Sequence, residues 1–233
     1  MPERPGMSER PGSGLATRPL HFFFLTDCSG SMAGEGKMRA LNMAIREALP
    51  HLVDVSHGNP HAEVLVRCLA FSTGARWHIA DPTPVESLTW TDLSCGGYTD
   101  LGEALRMLAA QLQVPPMPKR ALPPAIVLIS DGMPTDDHAE ALAELLELPW
   151  GARSVRLAVG IGRDADHDML VDFMSESGAD PITANNPEQL VAAIRWASMH
   201  VSRVASSIVD PTEVGGARFA PDFAHDELSE IVW

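Results

Sequence analysis

Apolar residues occur along the chain in two alternating patterns. Mostly apolar runs without polar alternation, at residues 20–25 and 125–130, are typical of strands buried on both faces, and segment 62–71 also has the pattern of a strand. Between the strands, the apolar residues of 37–55 and 101–112 recur at spacings of three and four, which predicts amphipathic helices. This alternation predicts an α/β fold with a doubly wound, mostly parallel central sheet and helices on both faces.

Further elements of the sheet are predicted from the rest of the apolar pattern. Residues 76–80 follow strand 62–71 after only four residues, which predicts a hairpin with an antiparallel strand at the sheet edge. The proline-rich segment 114–124 is predicted to be a surface loop. Beyond it we expect a helix from Asp136 or Asp137 to about residue 148, a strand at 154–162, a helix capped by Asp166, and a last helix that opens at Asn186-Pro187.

Three segments follow from the change in composition along the chain. Residues 1–18 are rich in Pro, Gly, Ser and Arg and are predicted to form a flexible arm. Residues 19–205 are predicted to form one α/β domain, and residues 206–233 an acidic tail that carries scattered apolar residues.

Charge and cysteine content narrow the function classes. A formal net charge of −14, without a Lys/Arg-rich stretch, argues against binding to nucleic acid. The three cysteines form no pair at metal-binding spacing, which favours a reducing compartment. No apolar stretch approaches the length of a membrane span or a signal peptide. We therefore expect a cytoplasmic protein with no membrane association.

Polar side chains follow the first predicted strand directly. Asp27, Ser29 and Ser31 alternate with Cys28 and Gly30, so that a tight loop could direct one carboxylate and two hydroxyls at a common point. Such oxygens suit a hard divalent cation, above all Mg²⁺. An Asx or Ser turn leading into a helix N-cap is the alternative explanation for the first two residues.

Two further segments carry comparable oxygens. Thr99 lies in a Gly-rich loop just before the helix at 101–112, where its hydroxyl either caps the helix or points outward. Asp131 follows the second buried strand in an Asp-Gly pair, which is also common in ordinary turns. Because ligands of open α/β sheets bind at the carboxyl ends of the strands, we expect these groups to converge at one edge.

The three segments together resemble the metal-ion-dependent adhesion site (MIDAS) of von Willebrand factor A (vWA) domains, and the predicted Rossmann-like sheet agrees with that fold. By this resemblance, Ser29, Ser31 and Thr99 would offer hydroxyl oxygens to Mg²⁺ or Mn²⁺, while Asp27 and Asp131 would bind the ion directly or through water. The phenylalanine-rich first strand, Leu-Ile-Ser-Asp-Gly-Met-Pro-Thr-Asp at 128–136 and Val-Gly-Ile-Gly at 159–162 further resemble the bacterial tellurium-resistance-associated TerY group.

The resemblance implies a non-catalytic, metal-dependent protein-binding module in a bacterial stress-response or tellurite-resistance signalling system. It also implies a Ser/Thr-kinase-like protein and a PP2C-type phosphatase as partners. We expect the partner to supply an Asp or Glu side chain to the metal. A Mg²⁺-dependent hydrolase or phosphatase that uses the same acids is the alternative, but a hydrolase needs a general base or a second ion, and no such residue adjoins the motif segments.

Overall fold

Six strands form a single sheet in the order β3-β2-β1-β4-β5-β6 in a computed structural model of the protein, which describes residues 17–59, 62–174 and 180–206. Five strands run parallel to one another: β1, β2, β4, β5 and β6. The remaining strand, β3, pairs antiparallel with β2 at the edge of the sheet. The bounds are Arg18–Asp27 (β1), Ala62–Ser72 (β2), Gly74–Pro84 (β3), Ala125–Ser130 (β4), Val155–Ile161 (β5) and Ile182–Ala184 (β6). The predicted doubly wound sheet with one antiparallel edge strand is confirmed.

Helices cover both faces of this sheet. Their bounds are Lys37–Gly58 (α1), Leu101–Leu112 (α2), His138–Glu147 (α3), Pro149–Ala152 (α4), His167–Met174 (α5) and Pro187–Ser206 (α6). A 3-10 segment, Gly30–Gly36, links β1 to α1. Helix α1 packs beside α6, and α2 packs beside α3.

The centre of the sheet is the most apolar part of the chain. Phe22, Phe23 and Phe24 of β1 are fully buried, and so are residues 125–129 of β4. Strands covered on both faces need apolar side chains in both directions, which explains why neither run alternates with polar residues. The helical stripe of α1 is buried against this sheet, as its spacing predicts: Met38, Leu41, Ile45, Ala48, Leu49 and Leu52.

Most elements lie where the sequence places them, although some boundaries differ and some short elements are new. The hairpin strand β3 extends from Gly74 to Pro84, beyond the predicted 76–80. The three-residue strand β6 and the four-residue helix α4 were not predicted, because segments this short show no periodicity. The expected caps are present, since Asp137, Asp166 and Asn186 each accept a hydrogen bond from a backbone N–H in the first turn of α3, α5 and α6.

The predicted arm and tail lie outside the described residues, apart from residues 17, 18 and 206, and both remain predictions. Within the described ranges, no helix combines the length and the apolar character that crossing a membrane requires.

Candidate metal centre

The two acids that follow buried strands meet at the point where the sheet reverses its order. The chain leaves β1 for β2 on one side and later returns to β4 on the other side, so the connections diverge between β1 and β4. Asp27 ends β1 and Asp131 directly follows β4. The register pairs Thr26 with Ile129, which brings Asp27 beside Ser130. Both acids therefore lie at the carboxyl ends of the two central strands, where the connections diverge.

The carboxylate of Asp27 is buried and held by the chain itself. Its Oδ1 accepts the backbone N–H of Ser29 at 2.8 Å, and its Oδ2 accepts the hydroxyl of Ser130 at 2.6 Å. Burial raises the pKa of Asp27, the hydrogen bonds from Ser130 and Ser29 act in the opposite direction, and the negative charge of Asp131 raises it further. A nearby cation would favour the ionised form of this carboxyl group.

Hydroxyl groups connect this region to the second acid. The hydroxyl of Ser31 donates to Asp131 Oδ1 at 2.7 Å, and Ser29 Oγ lies 2.8 Å from Ser31 Oγ. Since the single proton of the Ser31 hydroxyl is directed at Asp131, Ser29 must donate to Ser31. Asp27, Ser29, Ser31 and Asp131 thus form one connected group of oxygens, which we call the oxygen network.

A lysine side chain supplies positive charge to this network. Lys37 Nζ lies 2.8 Å from Asp131 Oδ2, where the lysine side chain is 15% exposed and the aspartate side chain is fully buried. Lys37 is the first residue of α1, and the preceding Gly36 has a φ of +77°, in the left-handed region that favours glycine. The ammonium group therefore stands where a cation would contact Asp131.

The Gly-rich loop of Thr99 is fixed beside the network by backbone contacts. Gly30 N–H donates to the carbonyl of Gly97 at 3.0 Å. Gly97 has a φ of +94°, and a Cβ at this position would lie 2.5 Å from Thr73 Oγ1, so only glycine fits. Tyr98, the next residue of this loop, is 67% exposed.

The loop after β4 forms hydrogen bonds with the Gly-rich loop of Thr99 and with the start of α2. Thr135 Oγ1 accepts the N–H of Thr99 at 3.0 Å, and Thr135 N–H donates to the carbonyl of Thr99 at 2.9 Å. The carboxylate of Asp136 accepts the N–H groups of Gly102 and Glu103 at 2.8 and 2.9 Å. The first turn of α2 is therefore capped by Asp136 rather than by Thr99, and its partial positive charge faces that carboxylate.

The donor set of this region suits a hard cation. Carboxylate and hydroxyl oxygens are the ligands that Mg²⁺ and Mn²⁺ prefer, and the ammonium of Lys37 shows that the network accommodates a positive charge. Within the described parts of the chain, no three His, Cys, Asp or Glu side chains group as metal ligands. Serine or threonine oxygens would therefore have to complete the coordination of an ion bound here.

Comparison with known proteins identifies the architecture. No protein-family model matches the sequence, and no curated protein matches it. Solved structures do match. They include a von Willebrand factor type A protein from Catenulispora acidiphila, with a TM-score of 0.59 and 20% identity over 79% of this chain and 43% of that one. They also include BatB from Bacteroides thetaiotaomicron, with a TM-score of 0.54 and 14% identity over 79% of this chain and 99% of that one.

A third match is proximal thread matrix protein 1 of the mussel byssus with a zinc-occupied MIDAS motif, with a TM-score of 0.57 and 15% identity over 81% of this chain and 46% of that one. The fold is that of a von Willebrand factor A domain. The chain spans less than half the length of the Catenulispora and mussel proteins, whereas it spans nearly all of BatB.

Within the vWA fold, four of the five predicted ligands form the oxygen network. The fifth, Thr99, is buried in the adjoining loop, and among the described residues no hydrogen bond joins its hydroxyl to the network. Its predicted alternative role as a helix cap is not observed, since α2 begins at Leu101 with Asp100 as its N-cap residue. Metal binding by these five residues stays a prediction.

Three residues that shape this site carry little local signal in the sequence. Lys37 gave a local signal only as part of Gly34-Glu35-Gly36-Lys37, which lacks the other residues of a phosphate-binding loop. Ser130 follows the apolar run of β4 directly, so a polar residue beside Asp131 was its only signal. From its sequence position Asp136 is a possible cap of the helix that follows it, whereas in the structure its carboxylate caps α2, the helix of an earlier segment.

Proposed function

We propose that this vWA domain is a non-catalytic protein-binding module whose site holds Mg²⁺ or Mn²⁺ through Asp27, Ser29, Ser31, Thr99 and Asp131. The observation that carries this proposal is the oxygen network itself, which lies at the switch point of the sheet and ends on the ammonium of Lys37. Two nearby carboxylates repel each other, and a divalent cation between them would relieve that repulsion.

The ligands differ in how accessible they are. Asp27 is fully buried, and both of its carboxylate oxygens accept hydrogen bonds from Ser29 and Ser130. Ser31 is exposed at the surface end of the network. This arrangement supports binding of a metal from the solvent side. Asp27 would contact the ion from the buried side, directly or through a water molecule.

The partner should supply an Asp or Glu side chain. A bound divalent ion would offer a coordination position that faces solvent, and a carboxylate from outside suits a hard cation. The formal charge of −14 would repel a broadly acidic partner, so we expect one acid set in a neutral or basic surface. The mussel protein with a zinc-occupied MIDAS motif supports divalent metal binding at this position of the fold.

The cellular setting belongs to the proposal as well. The motifs at 128–136 and 159–162 resemble the TerY group, and on that basis we propose a cytoplasmic role in bacterial stress-response or tellurite-resistance signalling. A Ser/Thr-kinase-like protein and a PP2C-type phosphatase are the partners that this resemblance suggests.

A hydrolase that uses the same acids has less support. Hydrolysis needs a general base or a second ion, but Asp27 is held by Ser29 and Ser130, and Asp131 by Ser31 and Lys37. Burial raises the pKa of the Cys28 thiol to about 12, so this thiol stays protonated and is a poor nucleophile. These contacts favour binding over catalysis.

The test separates metal binding from partner binding. Free Mn²⁺ is measured by electron paramagnetic resonance in titrations of the wild type, Asp27→Ala, Ser29→Ala and Ser31→Ala. Asp27→Ala should abolish binding because it removes an anionic group, whereas each serine variant should weaken it, since one neutral oxygen is lost. Equal affinities for the wild type and Asp27→Ala would show that the ion binds elsewhere.

Partner binding is measured with the kinase-like and phosphatase proteins of the same host, in MgCl₂ and in EDTA. The interaction should require the metal and should fall sharply in Thr99→Ala and Asp131→Ala, with circular dichroism as the control for folding. Equally strong binding in EDTA would make the site structural and refute the proposed mechanism.

A further inference from the structure

A cavity with a few polar side chains in its wall lies at the other end of the central strands. It has a volume of about 180 Å³ and is lined by residues of β1, β2, β3, the end of α2 and the proline-rich loop, among them His21, Arg67, Asp81, Gln111 and Met117. His21 precedes Asp27 by six residues on β1, which corresponds to about 20 Å along an extended strand. The cavity is therefore separate from the oxygen network.

In the part of the chain that the structure describes, the ring nitrogens of His21 lack hydrogen-bond partners. The residue is only 6% exposed, and neither Nδ1 nor Nε2 has a hydrogen-bond partner among the described residues. The ring stacks on Phe23, with ring centroids 6.2 Å apart. Buried polar atoms are nearly always hydrogen-bonded in folded proteins, so a histidine with two free nitrogens beside a cavity points to a molecule within that cavity.

Arg67 brings a buried positive charge to the same place. The residue is 7% exposed, and its guanidinium carbon lies 4.2 Å from the ring centre of Trp77 and 5.6 Å from that of Phe23. One terminal nitrogen donates to Gln111 Oε1 at 3.1 Å, whereas the Nε–H has no partner in the described part of the chain. The aromatic rings hold the guanidinium in place and leave this donor free.

The charge of Arg67 distinguishes an anion from water as the missing partner. Water could satisfy the nitrogens of His21, but it would leave a buried cation without an anion in direct contact. Asp81, an exposed residue on the rim, is the acid that lines the cavity. Burial has the larger effect on the pKa of Arg67 and lowers it, whereas the charge of Asp81 raises it, but among the described residues no ion pair joins the two side chains. Burial and the charge of Arg67 together lower the pKa of His21 to about 4, and the negative charge of a bound anion would raise it again.

We propose that this cavity binds a small oxyanion, a carboxylate or a phosphate, between the Nε–H of Arg67 and a ring N–H of His21. The space of about 180 Å³ equals roughly six water molecules at about 30 Å³ each, which is enough for an oxyanion of a few heavy atoms. Arg67 supplies the charge, and His21 supplies a second donor from the neighbouring strand. This site does not depend on the metal at the oxygen network.

Binding is tested by calorimetry with acetate, inorganic phosphate and chloride in a dilute piperazine hydrochloride buffer, which contains no oxyanion and whose chloride concentration is kept far below that of the titrated anions. Acetate and phosphate distinguish a carboxylate from a phosphate ligand, and chloride controls for non-specific charge effects. His21→Phe keeps the aromatic ring that stacks on Phe23 and removes both nitrogens. Arg67→Met removes the charge, and Arg39→Met, at an exposed arginine of α1, is the matched control.

We expect His21→Phe and Arg67→Met each to weaken oxyanion binding by about tenfold or more, because each removes one hydrogen bond to an anion. Asp81→Asn should tighten it by about two- to fivefold through the loss of a rim charge, and Arg39→Met should leave it unchanged. Mn²⁺ binding in His21→Phe should equal that of the wild type.

The proposal also predicts a change at the histidine itself. In nuclear magnetic resonance titrations of the wild type, saturating oxyanion should raise the pKa of His21. If Arg67→Met does not fold, this titration together with His21→Phe and Asp81→Asn decides the question. Binding of chloride as tight as that of acetate and phosphate, full oxyanion affinity in His21→Phe, or the absence of any binding to the wild type would each overturn the assignment.

Discussion

Replacing Lys37 with methionine should tighten the binding of Mg²⁺ or Mn²⁺ to the oxygen network. Lys37 Nζ lies 2.8 Å from Asp131 Oδ2, so an ion that uses this oxygen must first break the pair. Methionine has a side chain of similar length and no charge, so the variant loses the competing cation with little change in packing. The exchange of an internal ammonium for a metal ion would make Lys37 part of the control of this site.

The size of the effect follows from the geometry of the pair. At 2.8 Å the attraction between two unit charges is about 6 kcal/mol at an effective dielectric constant of about 20. Desolvation of the ammonium and of the carboxylate offsets much of this attraction, and a hydrogen bond to a charged group contributes a net of about 1.5–3 kcal/mol. We therefore expect the metal affinity of Lys37→Met to rise by about 10- to 150-fold.

The chain offers an exact control because it contains only two lysines, Lys37 and the exposed Lys119. Mn²⁺ affinities of the wild type, Lys37→Met and Lys119→Met are compared by electron paramagnetic resonance. Nuclear magnetic resonance of the two lysine side chains then reports the exchange directly with Mg²⁺, which should shift the signal of Lys37 and leave that of Lys119 in place. Comparable affinities in all three proteins, with an unmoved Lys37 signal, would refute the competition between ammonium and metal.

Three further predictions concern stability and are measured by urea unfolding. The pKa of His21 is lowered from 6.5 to about 4, so the free energy of unfolding should be highest above pH 6.5 and should fall by up to roughly 3 kcal/mol as the pH drops to about 4. His21→Phe should remove this pH dependence in a piperazine buffer, and an equal dependence in the variant and the wild type would contradict it. Asp136→Ala should lower the free energy of unfolding by about 1–2 kcal/mol, because the carboxylate accepts two N–H groups of α2. Asp137→Ala should lower it less, because Asp137 accepts one longer hydrogen bond in α3, and equal losses in the two variants would contradict this explanation. Gly97→Ala should lower the free energy of unfolding by about 1–3 kcal/mol, since the new Cβ would lie 2.5 Å from a threonine hydroxyl. Gly36→Ala, at a φ of +77° but with open space around it, should lower it less, and the reverse order would contradict the proposed clash.

The central sheet could be predicted from the sequence because its signals are local. The apolar runs at 20–25 and 125–130 are long enough to need burial on both faces, and the spacing in α1 requires one buried face. The short connection between β2 and β3 permits only a hairpin. Strand β6, with three residues, is too short for any such pattern, and its strand geometry depends on pairing with β5.

The candidate site also has a part that local sequence signals predict and a part that depends on the tertiary structure. Asp27, Ser29, Ser31, Thr99 and Asp131 could be proposed from the sequence because each follows a strand or precedes a helix in a recognisable segment. The sequence by itself therefore determined the elements and the acids at their ends. Only the tertiary structure decided that Lys37 pairs with an acid 94 residues away, that Asp136 caps α2, and that His21 and Arg67 share a cavity. Such contacts depend on which strands become neighbours, and the free energy that selects this arrangement comes from packing the whole core rather than from any one segment.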